Sequence, residues 1–281
     1  MIEELLFGYG ALSISYTHLE NSEEFYELNS NEVPLWKLVK VGAIFEKKIA
    51  DNDLNKVLEK TIYSDLSISI FKEKDWVKSY QKDHIPLKFG RNLWVFPTWH
   101  EPPGNSKGIF IKIDPGMAFG SGSHETTQLC LEYLDKNNPK KQVVIDFGCG
   151  SGILSIAAAL LGAKNVIAID NDPTAISVTN FNTKLNSVDS KILTTLDYKE
   201  ISCKADLVIA NIFSNVLIYL KTTFYRLIKP SGVVVLSGII EGNLKSVLEA
   251  YEDSFFIENV HNKNGWYMII LRKIDELQEA H

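Results

Sequence analysis

Residues 143–162 read VVIDFGCGSGILSIAAALLG, and this stretch decides the fold. Val143-Val144-Ile145 is an unbroken apolar run of strand length, without the polar alternation of a half-exposed strand. Gly148 to Gly152 is a glycine-rich turn. Ile153 to Leu161 is apolar and alanine-rich and predicts a helix, with Gly162 where a C-terminal glycine cap belongs. Strand, glycine turn and helix in direct succession bring free backbone N–H donors to a gap that a ligand can enter.

The same rhythm continues downstream. Val166 to Ile169 predicts the next buried strand, and Asp172-Pro173 offers a capping residue followed by proline at the first helical position. That helix is expected to run to about Leu185. Leu207 to Ala210 and Val233 to Leu236 are further apolar strands. Fully apolar strands alternating with helices predict an α/β fold: a doubly wound, mainly parallel, Rossmann-like sheet spanning residues 109–275. Upstream, Leu12, Ile14 and Tyr16 alternate with serines as in a strand, and Val39 to Phe45 predicts a second. Asp53 to Lys60 carries Leu54, Val57 and Leu58 at helical spacing, so residues 1–70 read as a small α+β domain. Residues 71–108, with Trp76, Trp94, Trp99 and several prolines, read as a connector with its own packing. Neither an internal repeat nor a low-complexity segment interrupts the chain.

Composition narrows the class. The chain has 281 residues, 45% of them hydrophobic and 23% charged, which is globular rather than disordered. Its 29 basic and 35 acidic side chains give a net charge of −6, which argues against direct nucleic-acid binding. The acid surplus sits in residues 1–60, either as a solvated surface or as a face for a basic partner. Cys130, Cys149 and Cys203 form no CxxC pair, and no cysteine–histidine spacing suggests a metal. The N-terminus lacks a basic leader region, and Ile153 to Gly162 is too short to span a bilayer. The expectation is a cytoplasmic protein, monomeric by default, with no metal and no membrane partner.

Four motifs carry the chemistry. In the first, Asp146 to Gly152, the glycines run G-x-G-x-G; dinucleotide sites want G-x-G-x-x-G/A, and Ile153 and Ser155 stand where that spacing needs a third glycine or alanine. The second is Asp170, which ends the next strand 22 residues after Gly148. An acid about 20 residues on can accept from ribose hydroxyls; Asp172 competes for that role but suits helix capping better. The third is Asn211, just past an apolar strand, either a polar edge beside a reacting amine or a cap for the next helix. The fourth is the loop Asp114 to Thr127, with three glycines, His124, Thr126 and Thr127. It predicts a cofactor-covering loop, or a plain helix start capped by Ser123 or Thr126.

Together these stretches resemble the PrmA family of class I S-adenosylmethionine-dependent methyltransferases, whose members methylate ribosomal protein eleven of the large subunit. The likeness also takes in Asp75-Trp76 and Phe89 to Trp94. It implies an N-terminal substrate-recognition domain and a C-terminal methyltransferase domain. It implies S-adenosylmethionine as cofactor, bound by Thr127, Gly148, Gly150, Asp170 and Asn211. There are two departures. The loop has Ser121, Ser123 and Glu125 where the family usually has Thr, Thr and Pro, and Glu125 is expected to alter its stiffness. The chain is also expected to begin inside the N-terminal domain, without an opening strand before Ile2–Gly10, which would leave a sheet edge exposed.

The implied reaction is direct in-line attack of a neutral lysine amine on a sulfonium methyl, with positioning as the main task of the protein. Asn211 is the residue expected to orient the amine. No strong general base is evident; His124 is a possible proton acceptor, and a loop-stabilising hydrogen bond is the role that suits it better. A methyltransferase for another protein or small-molecule amine keeps the same fold. A cofactor-binding scaffold without catalysis would be indifferent to loss of Asn211. A dehydrogenase would require nicotinamide binding.

Overall fold

The apolar runs become the inner strands of a seven-stranded sheet. In the computed structural model, described over residues 2–18, 39–46, 51–59, 65, 67–68, 85–102, 108–113 and 122–274, the chain divides into two units, Met1–Ser79 and Tyr80–His281. The central sheet belongs to the second unit.

Its strands are β6 (Val143–Phe147), β7 (Asn165–Ile169), β8 (Ile192–Thr195), β9 (Ala205–Asn211), β10 (Ile228–Ile240), β11 (Phe255–Lys263) and β12 (Trp266–Lys273). They lie in the order β11-β12-β10-β9-β6-β7-β8. The five from β6 to β10 run parallel, while β12 pairs antiparallel with β10 and β11 antiparallel with β12. From β6 the chain builds outward through β7 to β8, then returns to the other side of β6 as β9. That reversal makes the carboxyl ends of β6 and β9 the topological switch point, where open α/β sheets bind ligands.

Period-two alternation divides the core between the two faces of the sheet. Val144, Val166, Leu207 and Ile209 pack with α3 (Glu125–Lys136) and α4 (Ile153–Leu160). Ile145, Ile167, Val208 and Ala210 pack with α6 (Ser214–Leu227) and α7 (Glu241–Tyr251). Burial on both faces is why these strands carry no polar alternation. The remaining long helix is α5 (Pro173–Leu185); as the sequence predicts, Asp172 caps it, accepting from Thr174 N at 2.7 Å, with proline at the first position.

A three-stranded sheet, β3 (Leu87–Phe89), β4 (Leu93–Pro97) and β5 (Ile109–Ile113), joins the first face. Phe89, Leu93, Val95, Ile111 and Ile113 are buried in the same cluster as Leu131 and Leu134 of α3. Its β3–β4 turn is fastened by Asp135, which accepts from Arg91 N at 2.6 Å.

The first unit contains α1 (Ile2–Gly8), an antiparallel pair β1 (Ala11–His18) and β2 (Val39–Phe45), and α2 (Asp51–Leu58). Both sequence-predicted strands and the helix are present, and Leu6, Ala11 and Val57 form a small core of their own. Trp76 and Asp75 lie outside the described residues. No helix among the described residues is long and apolar enough to cross a membrane.

Candidate active site

The glycine turn between β6 and α4 is tied to its neighbours at almost every residue. Gly148 N and Cys149 N both donate to Ile169 O, at 2.8 and 2.9 Å. Gly150 N donates to Asp170 Oδ2 at 2.9 Å. From α5, Thr179 Oγ1 donates to Gly150 O and Asn182 Nδ2 donates to Ser151 O, both at 2.9 Å. Gly148 has φ +76°, and a Cβ there would lie 2.2 Å from Ile212 Cγ2. Glycine at 148 is therefore required twice over, by left-handed backbone and by close approach of the turn after β9.

Asp146 anchors the helix that follows. Gly152 caps α4 but has no side chain to do so. Asp146 Oδ2 supplies the missing acceptor from the strand, taking Ser155 N at 2.9 Å and Ser155 Oγ at 2.7 Å. The carboxyl is 1% exposed and its Oδ1 has no hydrogen-bond partner. Burial, opposed in part by the Ser155 bonds and reinforced by Asp170, pushes its pKa up to about 6. An acidic residue inside an otherwise apolar strand is the sequence signal that marks Asp146 for this anchoring role.

Asp170 sits half-buried just past β7, with Oδ1 accepting from Asp172 N at 3.1 Å. Each of its oxygens thus holds one backbone N–H, and an ionised carboxylate offers about four acceptor positions in all. Asp172 is occupied as the α5 cap, the role that its place before Pro173 suggests.

Asn211 is the last residue of β9, and its Nδ2 donates to Thr127 Oγ1 at 3.3 Å. Two candidate residues 84 positions apart are thereby brought together. Asn211 does not cap the next helix: that position belongs to Phe213, whose side chain makes no capping bond. Thr127, 1% exposed, lies in the first turn of α3.

The start of α3 corrects one expectation. Neither Ser123 nor Thr126 is its cap; His124 is, with Nδ1 accepting from Thr126 N at 3.3 Å and 2.8 Å from Thr126 Oγ1. Imidazole takes this place because its ring also packs edge-on against Trp266, at 4.7 Å between centroids. Nδ1 is thus committed to stabilising the loop. Glu125, the departure at the usual proline position, accepts from Asn264 Nδ2 at 3.3 Å and so ties the helix start to the β11–β12 turn. Residues 114–121 of the loop lie outside the described residues. Among the described residues, no cluster of His, Cys, Asp and Glu could hold a metal.

Comparison with known proteins agrees with this arrangement. A family model described as Ribosomal protein L11 methyltransferase (PrmA) matches residues 1–274. The chain is 38% identical over 275 residues to the ribosomal protein L11 methyltransferase of Marinomonas sp. (strain MWYL1), covering 95% of this chain and 92% of that one. It is also 38% identical over 265 residues to that of Pasteurella multocida (strain Pm70), covering 92% and 90%. Among solved structures, the ribosomal protein L11 methylase from Lactobacillus delbrueckii subsp. bulgaricus aligns with a TM-score of 0.63 at 32% identity, over 68% of this chain and 100% of that one. The glycine turn at the switch point of a mainly parallel sheet, and sequence likeness over nearly the whole chain, lead to one conclusion: this chain belongs to the ribosomal protein L11 methyltransferase (PrmA) family.

Proposed function

We propose that this chain is a lysine N-methyltransferase that uses S-adenosylmethionine to methylate ribosomal protein L11 in the cytoplasm. The observation that carries the reading is the convergence of Asn211 and Thr127 beside the glycine turn, at the carboxyl ends of β6 and β9.

The residues present suit the cofactor. Asp170 has acceptor capacity left for two neighbouring ribose hydroxyls. Asp146 and Asp170 together favour a cationic ligand over a pyrophosphate. On this reading Thr127, Gly148, Gly150, Asp170 and Asn211 hold the cofactor, which when bound supplies an electrophilic methyl on a sulfonium.

The protein's own task is positioning. Asn211 presents a polar edge to the arriving amine, and its bond to Thr127 fixes the amide plane. A lysine amine, with an ordinary pKa of about 10.4, must arrive neutral. Burial and a neighbouring positive charge both favour that form, so no strong base is required. The smaller unit, whose residues 1–60 carry the acid surplus, serves as the recognition domain for a basic ribosomal protein.

The test is transfer of labelled methyl from S-adenosylmethionine to total ribosomal protein from cells lacking this activity, resolved by mass. The expected result is one labelled large-subunit protein. Cofactor binding without labelled ribosomal protein would discard the substrate and favour a small-molecule amine or a scaffold.

A further inference from the structure

We infer that Phe213 is the wall against which the methylene stem of the target lysine lies, an inference that rests on the methyltransferase reading above. Phe213 stands two residues beyond Asn211 and is 67% exposed, between half-buried Ile212 and buried Ser214. It occupies the N-cap of α6 with no side-chain capping bond. Serine, threonine, asparagine or aspartate would satisfy a helix donor at that position, and phenylalanine cannot. A ring two-thirds exposed at an N-cap contributes little packing and no cap, and its place two residues beyond Asn211 sets it beside whatever approaches that side chain.

The backbone that carries the ring is held from both sides. Ile212 N donates to Ser237 O at 3.2 Å. A Cβ on Gly148 would lie 2.2 Å from Ile212 Cγ2, and one on Gly238 would lie 2.4 Å from Ile212 O. Gly238, with φ +87°, sits where the pairing of β10 with β12 shifts between Ser237 and Ile239. Such bulges re-aim chain segments beside active sites. The turn Asn211-Ile212-Phe213 is thus a fixed ledge, polar at Asn211 and aromatic at Phe213. A lysine side chain has the matching pattern, an apolar stem ending in a polar head.

The experiment measures steady-state methylation of purified L11 by the full chain, with S-adenosylmethionine affinity by calorimetry and thermal stability alongside. Phe213→Ser is the informative variant, because serine can cap α6 while removing the ring. It is expected to raise KM for L11 about tenfold, with cofactor affinity unchanged and Tm equal or higher. Phe213→Tyr should restore the wild-type KM. Leu193→Ala, which removes an equally exposed apolar side chain from edge strand β8, should change nothing. An unchanged KM in Phe213→Ser would overturn the inference, as would a loss that tracks weaker cofactor binding or a lower Tm. A wild-type chain that methylates no L11 would overturn the function first and this inference with it; an active wild type beside an unaltered Phe213→Ser overturns this inference alone.

Discussion

Replacing Asp146 with asparagine should change the pH dependence of stability in a calculable way. The carboxyl is 1% exposed, and burial holds its pKa near 6 against an ordinary 3.8. That difference of about two units corresponds to about 3 kcal/mol. The sign follows from where the proton goes. Below about pH 4 the group is protonated in both folded and unfolded chains and contributes nothing. Between about pH 4 and 6 the unfolded chain releases its proton while the folded one keeps it, so stability falls by about 1.4 kcal/mol per pH unit. Above about pH 6 the cost is constant. Asparagine does not titrate, but its amide leaves buried donors where Oδ1 has no partner, an offset of about 1–3 kcal/mol that is independent of pH. The informative quantity is therefore the difference between the two proteins, in which every shared titration cancels. Urea unfolding of both from pH 4 to pH 7 should show the wild type losing about 2–2.5 kcal/mol relative to the variant. A difference that stays flat, or rises with pH, would refute the reasoning.

Two further outcomes follow from the site geometry. Gly148→Ala combines left-handed backbone with a Cβ 2.2 Å from Ile212 Cγ2, so it should cost about 2–4 kcal/mol and weaken cofactor binding, as read by thermal melting and calorimetry. Asn211→Ala should lower kcat by about 100-fold in single-turnover transfer while leaving Tm almost unmoved, since the side chain is half-buried and makes one 3.3 Å bond to Thr127; a variant with full rate would remove Asn211 from the reaction.

The sheet was legible wherever burial on both faces erased polar alternation. Val143 to Phe147, Val166 to Ile169 and Leu207 to Ala210 announce themselves in this way. Helix ends with strong local chemistry were legible too: Asp172-Pro173 starts α5, and Gly162, at φ +98°, follows α4. The pair β11–β12 was not. Phe256, Glu258, Asn259, Val260 and Asn262 of β11 are exposed, and its sequence shows no clean period. It is a strand because β12 lies beside it.

Within the site, acids and glycines could be placed by spacing, because spacing along one strand–turn–helix unit is a local property. Contacts across the fold could not. The bond from Asn211 to Thr127 spans 84 residues, and the packing of Ile212 against Gly148 and Gly238 depends on three separate turns. The capping of α3 by His124 also depends on Trp266, which arrives from β12. A serine or threonine cap is the better local choice, and tertiary packing overrode it.

The most direct test of the central claim is a mass measurement on purified ribosomal protein L11 after incubation with this chain and S-adenosylmethionine, followed by mapping of the modified peptides. The account predicts mass gains in whole methylene steps, located on lysine-containing peptides, and absent when Asn211→Ala replaces the wild type at matched times. An unmodified L11, from a chain shown by calorimetry to bind the cofactor, would contradict it.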